Sequence, residues 1–208
     1  MLDFSEPENG AVAVKKTIDH FGRLDILVNN AGIFVMSVAS DPGTYEAHRQ
    51  AMTINTGATV RATLAAVEEL KRTRGNMVFV SALASIKPSE FCYAYCMSKA
   101  AMSSFAKCLA IDLAPEVRVN IVSPGPVQTP IFDRVGINED IAAKIMGSST
   151  LRGSIGQSDE VAESIFFLAS DKAGFINGHE LFIDGGYLIK PSTHAASQQI
   201  ISQLQKSS

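Results

Sequence analysis

Tyr95 and Lys99, four residues apart, are the residues of this sequence whose types and spacing best suit proton chemistry. At this spacing on a helix, two side chains project from one face as neighbours. A phenol has an ordinary pKa of about 10, and a fixed ammonium nearby favours the phenolate and lowers that value. The pair therefore predicts a tyrosine that acts as an acid or base near neutral pH. The alternative is a surface tyrosine and lysine on an amphipathic helix.

Two further segments combine small and polar residues in a way that would let a ligand approach the backbone. Asn29-Asn30-Ala31-Gly32 follows an apolar run, and its asparagines can hold a strand end through side-chain hydrogen bonds. The segment 124–129 (PGPVQT) follows another such run, and could present the Val127 N–H and the Thr129 hydroxyl to a ligand. An ordinary polar turn is the alternative interpretation of the first segment, and a plain loop of the second.

The elements that would position these residues alternate along the chain. The patterns predict helices over 11–21, 44–72, 93–114 and 158–170, and strands over 25–29, 77–81, 117–122 and 181–183. Asp41-Pro42 is the predicted cap and first-turn pair ahead of the second helix, and Ser158 is the predicted cap of the fourth. Apolar strands of this kind suggest burial on both faces, and the alternation predicts an α/β fold with a parallel sheet covered by helices on both sides. Ligands bind beyond the carboxyl ends of strands in such sheets, where the two small-residue segments lie.

Composition excludes several other classes of protein. The chain has 208 residues, 46% of them apolar and 19% charged, which is ordinary for one globular domain. With a net charge of −3 and no basic stripe, nucleic acid is an unexpected partner. The sequence contains no run of eighteen apolar residues, so it predicts no membrane span. Three cysteines and four histidines at spacings that match no metal site favour reduced thiols in a cytoplasmic setting and no bound metal.

The order and spacing of the motifs strongly resemble the short-chain dehydrogenase/reductase family. The motifs are, in order, 21–32 (FGRLDILVNNAG), Asn55, Tyr95-x-x-x-Lys99, 118–125 (RVNIVSPG) and 178–186 (GHELFIDGG). Together they are far more specific than any one alone. The resemblance spans residues 3–187 and includes 3-oxoacyl-(acyl carrier protein) reductase-like and glucose-dehydrogenase-like members. It implies a single-domain, Rossmann-type doubly wound parallel sheet over 1–187, followed by a polar tail over 188–208.

The resemblance also implies a role for each motif residue. Tyr95 would be the acid/base, Lys99 would lower its pKa and bind the nicotinamide ribose, and Asn55 would hold a water in a proton relay. The cofactor, NAD or NADP, would be contacted as well by Asp3, Asn30, Ala31, Gly32, Pro124, Gly125, Val127 and Thr129. The segment 131–157 would be a lid over a small carbonyl or alcohol substrate. The family resemblance also implies a homo-oligomer, either a dimer or a tetramer.

The sequence departs from the family at the position thirteen residues before the tyrosine, where the family has a serine and this chain has Ala82. That serine would hydrogen-bond the substrate oxygen. Ser81 is adjacent, but neighbouring strand residues point to opposite faces. Ser85 follows three residues after Ala82 and could reach back as a substitute.

The second departure concerns the cofactor's phosphates. The family's Gly-rich turn (T-G-x-x-x-G-x-G), which cradles the pyrophosphate at a helix N-terminus, has no counterpart in this sequence. We therefore expect a fold that lacks the first strands, in which the strand 25–29 forms an apolar edge. A fragment, or a gene model begun at an internal methionine, would explain this most simply. A shortened protein could hide the edge in an oligomer.

Two functions follow from these observations. The first is an NAD(P)-dependent oxidoreductase that interconverts a ketone and a secondary alcohol, with Tyr95 as acid/base. The second is a catalytically impaired relative that serves as an oligomeric partner or is a truncated gene product, as suggested by Ala82 and the missing phosphate cradle. In that case Ala100, Ala101, Ser103 and Ser104 are small enough for close packing between subunits.

Overall fold

The architecture is taken from a computed structural model that describes residues 2–131, 143–144 and 146–191. Its helices are α1 (Glu8–Phe21), α2 (Thr44–Ala51), α3 (Thr59–Thr73), α4 (Tyr93–Asp112) and α5 (Ser158–Ala169). Its strands are β1 (Ile26–Asn29), β2 (Asn76–Val80), β3 (Arg118–Pro124) and β4 (Glu180–Ile183). A π-helical segment (Met52–Ala58) joins α2 to α3, and short 3-10 turns lie at Leu83–Ser85 and Asp171–Ala173. The predicted strands and helices are present with ends shifted by at most three residues, except that the single helix predicted over 44–72 is divided into α2, the π-helical segment and α3.

The four strands form one parallel sheet in the order β1-β2-β3-β4. Val28 pairs with Val78, Val78 with Asn120, and Val122 with Leu181. Because all four strands run in the same direction, their carboxyl ends all lie at the same end of the sheet. The predicted ligand-binding segments therefore lie side by side there, although they are far apart in sequence.

Helices cover both faces of the sheet, as the sequence predicted. On one face, Met77 and Phe79 of β2 pack in a core with residues of α1, α3 and α4. On the other face, Val78 and Val122 pack against α5 through Val161 and its neighbours. All five residues of β2 are buried, since β2 is covered on both faces and paired along both edges.

Strand β1 differs from the prediction of a strand buried on both faces. Ile26 is 44% exposed and Val28 is 40% exposed, whereas Asn29 is buried. The reason is that α5 packs mainly on β2 and β3 on that face and leaves β1 largely uncovered. Within the described residues β1 pairs only with β2, so the prediction of an apolar edge strand agrees with the structure.

The two helices begin at the predicted residues, Thr44 and Ser158, but the predicted capping residues are wrong. α2 begins at Thr44 after Gly43, and the Asp41 carboxylate accepts a hydrogen bond from the Gly43 N–H ahead of the helix. At α5 the capping residue is Gln157, whose backbone N–H donates to Glu160 at 2.8 Å in a capping box. The Ser158 hydroxyl donates instead to the Gln128 carbonyl. A serine and a glutamine can both occupy the position before an acidic first turn, so the sequence alone did not distinguish them.

Two other expectations fall wholly or partly outside the described residues. The tail is described only as far as residue 191, and the proposed lid over 131–157 includes residues 132–142 and 145, which are not described. None of the helices in the described ranges is both long enough and apolar enough to cross a bilayer.

Gly10 fixes how closely α1 packs on the helices behind it. A Cβ at this position would clash with the Ala58 carbonyl oxygen and lie 2.9 Å from the Ala62 amide nitrogen. Both are helix backbone atoms that cannot rotate away. We expect Gly10→Ala to lower the free energy of unfolding by about 1–3 kcal/mol, the usual cost of overpacking, even though alanine is the better helix former. Urea denaturation measures this change.

Gly57→Ala is the matched control for this substitution. A Cβ at Gly57 would have its nearest neighbours at 3.5 Å, which is ordinary contact. The control is expected to unfold at the same urea concentration as the wild type or a higher one. Equal stability of the Gly10→Ala and Gly57→Ala variants would contradict the close helix contact at Gly10.

Candidate active site

A cavity of about 760 Å³ opens at the carboxyl ends of the strands. Most of the predicted site residues line it, namely Asn30, Gly32, Tyr95, Lys99, Pro124, Gly125, Val127 and Thr129. The structure thus brings together segments separated by up to a hundred residues of sequence. Ala31 is exposed beside the cavity without lining it. Asp3 is also apart from the cavity, and its carboxylate accepts a hydrogen bond from the Ser5 N–H just before α1.

Tyr95 lies in the first turn of α4 and faces the cavity. Its ring packs against Phe34, with ring centroids 5.3 Å apart. Burial raises the pKa of the Tyr95 phenol above its ordinary value, and the neighbouring Cys92 and Cys96 raise it further. Desolvation therefore outweighs the Lys99 ammonium, which lies 5.8 Å from the ring centroid, and the tyrosine predicted to act near neutral pH has a raised pKa instead.

Lys99 is buried one helical turn beyond Tyr95. Its ammonium donates a hydrogen bond to the Val80 carbonyl at 2.8 Å, at the carboxyl end of β2. Burial lowers the pKa of Lys99 to about 8, so a modest change of environment would alter its charge. An ammonium has three donors, which leaves this group the capacity to bind a ligand hydroxyl in the cavity.

Gly32 has a steric reason to be glycine. A Cβ on this residue would lie 3.4 Å from the Lys99 Nζ atom and 3.2 Å from the Asn55 Oδ1 atom. The loop after β1 therefore passes directly over the lysine, and a side chain there would narrow the space in front of the ammonium. Gly32 and Lys99 thus lie together in one wall of the cavity, with the buried Asn55 behind them.

Asn55 is fully buried in the π-helical segment and positions that loop. Its Oδ1 atom accepts from the Ile33 N–H at 2.7 Å, and its Nδ2 atom donates to the Ile33 carbonyl at 3.0 Å. Nδ2 also donates to the Ser98 hydroxyl of α4. The side chain thus fixes the loop relative to the tyrosine helix. π-Helical turns are frequent at functional sites, but the sequence pattern did not indicate this one.

The two serines considered as substitutes at Ala82 have other partners. The Ser81 hydroxyl donates to the Lys99 carbonyl and lies 2.8 Å from the Ser103 hydroxyl oxygen. The Ser85 hydroxyl donates to Glu180, and Ser85 does not line the cavity. Ala82 itself does line it. The structure therefore argues against Ser85 as a substitute donor and leaves a methyl group at the position where the family has a hydroxyl.

Behind the tyrosine helix, Glu180 connects several elements. One of its carboxylate oxygens accepts hydrogen bonds from the hydroxyls of Ser103 and Ser123 at 3.0 and 2.7 Å, and the other pairs with Lys107 at 2.6 Å. Burial pushes the pKa of Glu180 upward, but these partners outweigh it and the pKa is lowered. The ionised carboxylate therefore ties β3 and β4 to α4. A lone glutamate in a strand gives no signal, so the role of Glu180 could not be predicted from the sequence.

The remaining wall of the cavity is mainly apolar and was also missed. It includes Phe34, Met36, Leu83, Phe91 and Met146. The Lys87 ammonium lies 4.1 Å from the centroid of the Tyr187 ring, and these two residues close one side. In the described residues, no group of three or more histidines, cysteines or acidic residues could hold a metal ion. A bulky apolar ligand would fit this space better than a charged one.

Known proteins match this chain over most of its length. A family model described as enoyl-(acyl carrier protein) reductase matches residues 1–188. Cyclopentanol dehydrogenase from a Comamonas strain is 35% identical over 188 residues, which are 89% of this chain and 74% of that protein. The similarity thus includes every element described above.

Solved structures share the fold. A short-chain dehydrogenase/reductase of unknown function from Caenorhabditis elegans, solved with cofactor, is 28% identical with a TM-score of 0.84, covering 93% of this chain and 76% of that one. ElxO with NADP bound is 27% identical with a TM-score of 0.80, covering 91% and 77%. The parallel sheet and these matches define a Rossmann-type oxidoreductase. The chain belongs to the short-chain dehydrogenase/reductase family.

The residues of the cavity fit the nicotinamide end of a dinucleotide. Gly32 leaves open the space in front of Lys99, whose ammonium can bind ribose hydroxyls. Pro124 and Gly125 form the adjoining wall, where the Gly125 N–H donates to the Ile183 carbonyl and a Cβ would press on Asp184. Toward the phosphates, the described residues contain no glycine-rich turn at a helix N-terminus. The described residues therefore fit the nicotinamide half of the cofactor, which is the half that reacts.

Proposed function

We propose that this protein is an NAD(P)-dependent oxidoreductase that interconverts a ketone and a secondary alcohol, with Tyr95 as its acid/base. The observation that supports this most directly is that Tyr95 and Lys99 line one cavity together with Gly32 and Pro124. The family membership supports the same class of reaction. Because the relatives named above include a cyclopentanol dehydrogenase, alcohols and ketones are the substrates to test first.

In this mechanism the protein's residues orient the reactants and move one proton. A bound nicotinamide dinucleotide would supply or accept the hydride. Tyr95 would donate its phenolic proton to the carbonyl oxygen during reduction, and would accept it during oxidation. Lys99 would hold the ribose and stabilise the phenolate as it forms. Asn55 would keep the loop of Gly32 in place through its bonds to Ile33.

The apolar wall suggests the kind of substrate. Phe34, Leu83 and Phe91 offer hydrocarbon surface on the tyrosine side of the cavity, and burying such surface is worth about 25 cal/mol per Å². We propose that the substrate is an alicyclic or similarly apolar ketone, such as cyclopentanone or cyclohexanone, and not a sugar acid.

The test is a reductase assay of the full chain with NADH and with NADPH against a panel of cyclic and linear ketones. Titration calorimetry with each dinucleotide should accompany the assay. We expect micromolar binding of at least one dinucleotide and faster turnover of cyclic ketones than of acidic ones. Absence of both binding and turnover, in a protein shown to be folded by circular dichroism, would refute the proposal.

Activity is expected to depend on pH through Lys99. Its pKa is lowered to about 8 by burial, so the ammonium is charged below that pH and neutral above it. Since the charge stabilises the phenolate that forms in reduction, kcat/KM for ketone reduction is expected to fall as the pH rises through about 8. A rate profile from pH 6 to 10, about two units on each side of that value, would show the fall. A flat profile would show that the charge of Lys99 does not affect catalysis.

A second candidate function is favoured by Ala82, which removes the usual donor to the substrate oxygen. On this view the protein is a catalytically impaired relative that acts as an oligomeric partner. Either function is compatible with a homo-oligomer, a single domain over 1–187 and a reducing cytoplasmic setting, all of which we propose. Dinucleotide binding without turnover of any ketone would favour this second function.

A further inference from the structure

Two cysteine thiols lie next to each other at the start of the tyrosine helix, and the mechanism above does not use them. Cys92 is the residue before the first helical position of α4, and Cys96 lies one turn further on. Their Sγ atoms are 3.7 Å apart, within hydrogen-bond distance for sulfur. Tyr95 lies between them in the sequence, so any change in this turn acts directly on the proposed acid/base.

The pair is enclosed, but a small molecule can reach it. Cys92 and Cys96 are only 4% and 7% exposed, and Cys92 lines the cavity. Burial, and then the neighbouring Cys96, raises the pKa of the Cys92 thiol to about 12. Cys92 therefore keeps its proton at neutral pH. The third cysteine, Cys108, is exposed near the other end of the helix, and provides an internal comparison.

We propose that Cys92 and Cys96 form a reversible redox-modification site, at which a small hydroperoxide that enters the cavity converts the two thiols into a disulfide. The sulfur of one cysteine attacks the peroxide oxygen, the O–O bond breaks, and a sulfenic acid and one alcohol or water form. The sulfur of the other cysteine then attacks the sulfenic sulfur, releasing water. Two thiols are oxidised and one peroxide is reduced, so atoms and electrons balance.

Closing this bond requires the first turn of α4 to move. Side chains four residues apart on a helix have Cβ atoms about 5–6 Å apart, whereas a disulfide needs about 3.8 Å. Cys92 can supply part of the movement because its backbone is already non-helical, with φ −145° and ψ 31°. A disulfide formed against this geometry is strained and hence easily reduced. The same movement shifts Tyr95, and a misplacement of about 1 Å can cost roughly a hundredfold in rate.

The test uses the full chain, treated with hydrogen peroxide, then denatured, alkylated with iodoacetamide and digested with trypsin. Because Lys87 precedes Pro88, both cysteines fall in the peptide 75–99, while Cys108 falls in 108–118. We expect peptide 75–99 to appear about 2 Da lighter than its reduced form and unalkylated, and dithiothreitol to restore two alkylation sites. Cys108→Ser should behave like the wild type.

Three outcomes would overturn the proposal. One is that both cysteines remain alkylatable at excess peroxide, and another is that one is over-oxidised while its partner stays reduced. The third is that Cys92→Ser or Cys96→Ser still yields the lighter peptide. The wild-type peptide alone decides the first two, so the test does not depend on how the variants fold.

The effect on catalysis rests on the proposed function and is measured separately. We expect the disulfide form to reduce ketones at least tenfold more slowly than the thiol form, because the displacement of Tyr95 lowers the rate. Dithiothreitol is expected to restore the rate. A disulfide form with full activity would overturn the link to Tyr95. A disulfide in a protein that reduces no ketone in either state would refute the proposed function while supporting the modification site.

Discussion

Replacing Tyr95 with phenylalanine is expected to lower kcat for ketone reduction by about 10²–10⁴-fold, the usual contribution of a positioned acid or base. Phenylalanine keeps the ring that packs on Phe34 and removes only the hydroxyl. The KM for the dinucleotide and the free energy of unfolding should therefore change little. Steady-state kinetics with the best ketone, together with urea denaturation, measure both quantities.

Tyr93→Phe is the matched control for this loss. Tyr93 begins the same helix two residues earlier, is partly exposed and does not line the cavity. Removal of its hydroxyl should leave kcat within about twofold, as for a surface change away from the site. If Tyr95→Phe and the wild type reduce the ketone at equal rates, Tyr95 is not the acid and the proposed mechanism is wrong.

The raised pKa of Tyr95 makes this prediction sharper. A phenol whose pKa is raised by burial is fully protonated at neutral pH, as the reduction direction requires. Alcohol oxidation needs the phenolate, so it should be slower at neutral pH and should accelerate as the pH rises. The two directions therefore need opposite protonation states of one side chain, and Tyr95→Phe should abolish the rise of the oxidation rate with pH.

The spacing of residues predicted most of what positions the site. Tyr95 and Lys99 share a helix face because four residues make about one turn. The small-residue segments at 29–32 and 124–129 meet because parallel strands end at one edge of the sheet. These inferences needed only the residue spacing along a helix and the direction of the strands. Both follow from the pattern of the sequence itself.

What could not be predicted depends on three-dimensional surroundings. The raised pKa of Tyr95 could not be predicted because a sequence shows the nearby lysine but not the desolvation that outweighs it. The exposure of Ile26 and Val28 depends on how far α5 extends across the sheet. The role of Glu180 depends on serines from β3 and α4 that converge on it. In each case the deciding neighbour is distant in the sequence.

Restoring a hydroxyl at position 82 is expected to increase catalysis. Ala82 lines the cavity at the carboxyl end of β2 and precedes the 3-10 turn that begins at Leu83. Loss of one donor to a developing oxyanion costs on the order of 10²–10³-fold in other enzymes. We therefore expect Ala82→Ser to raise kcat by about tenfold or more, with a smaller effect on KM, because the new bond strengthens as charge builds on the substrate oxygen.

Ala84→Ser adds the same hydroxyl two residues away and is the control. Ala84 also lines the cavity, so the variant tests whether any added polar group has this effect. A gain confined to Ala82→Ser would show that Tyr95 and Lys99 are already placed for catalysis and that only the donor is absent. A rate unchanged from wild type would mean that another group already donates to the substrate oxygen. Ser89, which also lines the cavity, would then be the first residue to replace with alanine. Dinucleotide binding with no turnover in either variant would favour the catalytically impaired relative, because a site that lacked only this donor would respond to its return.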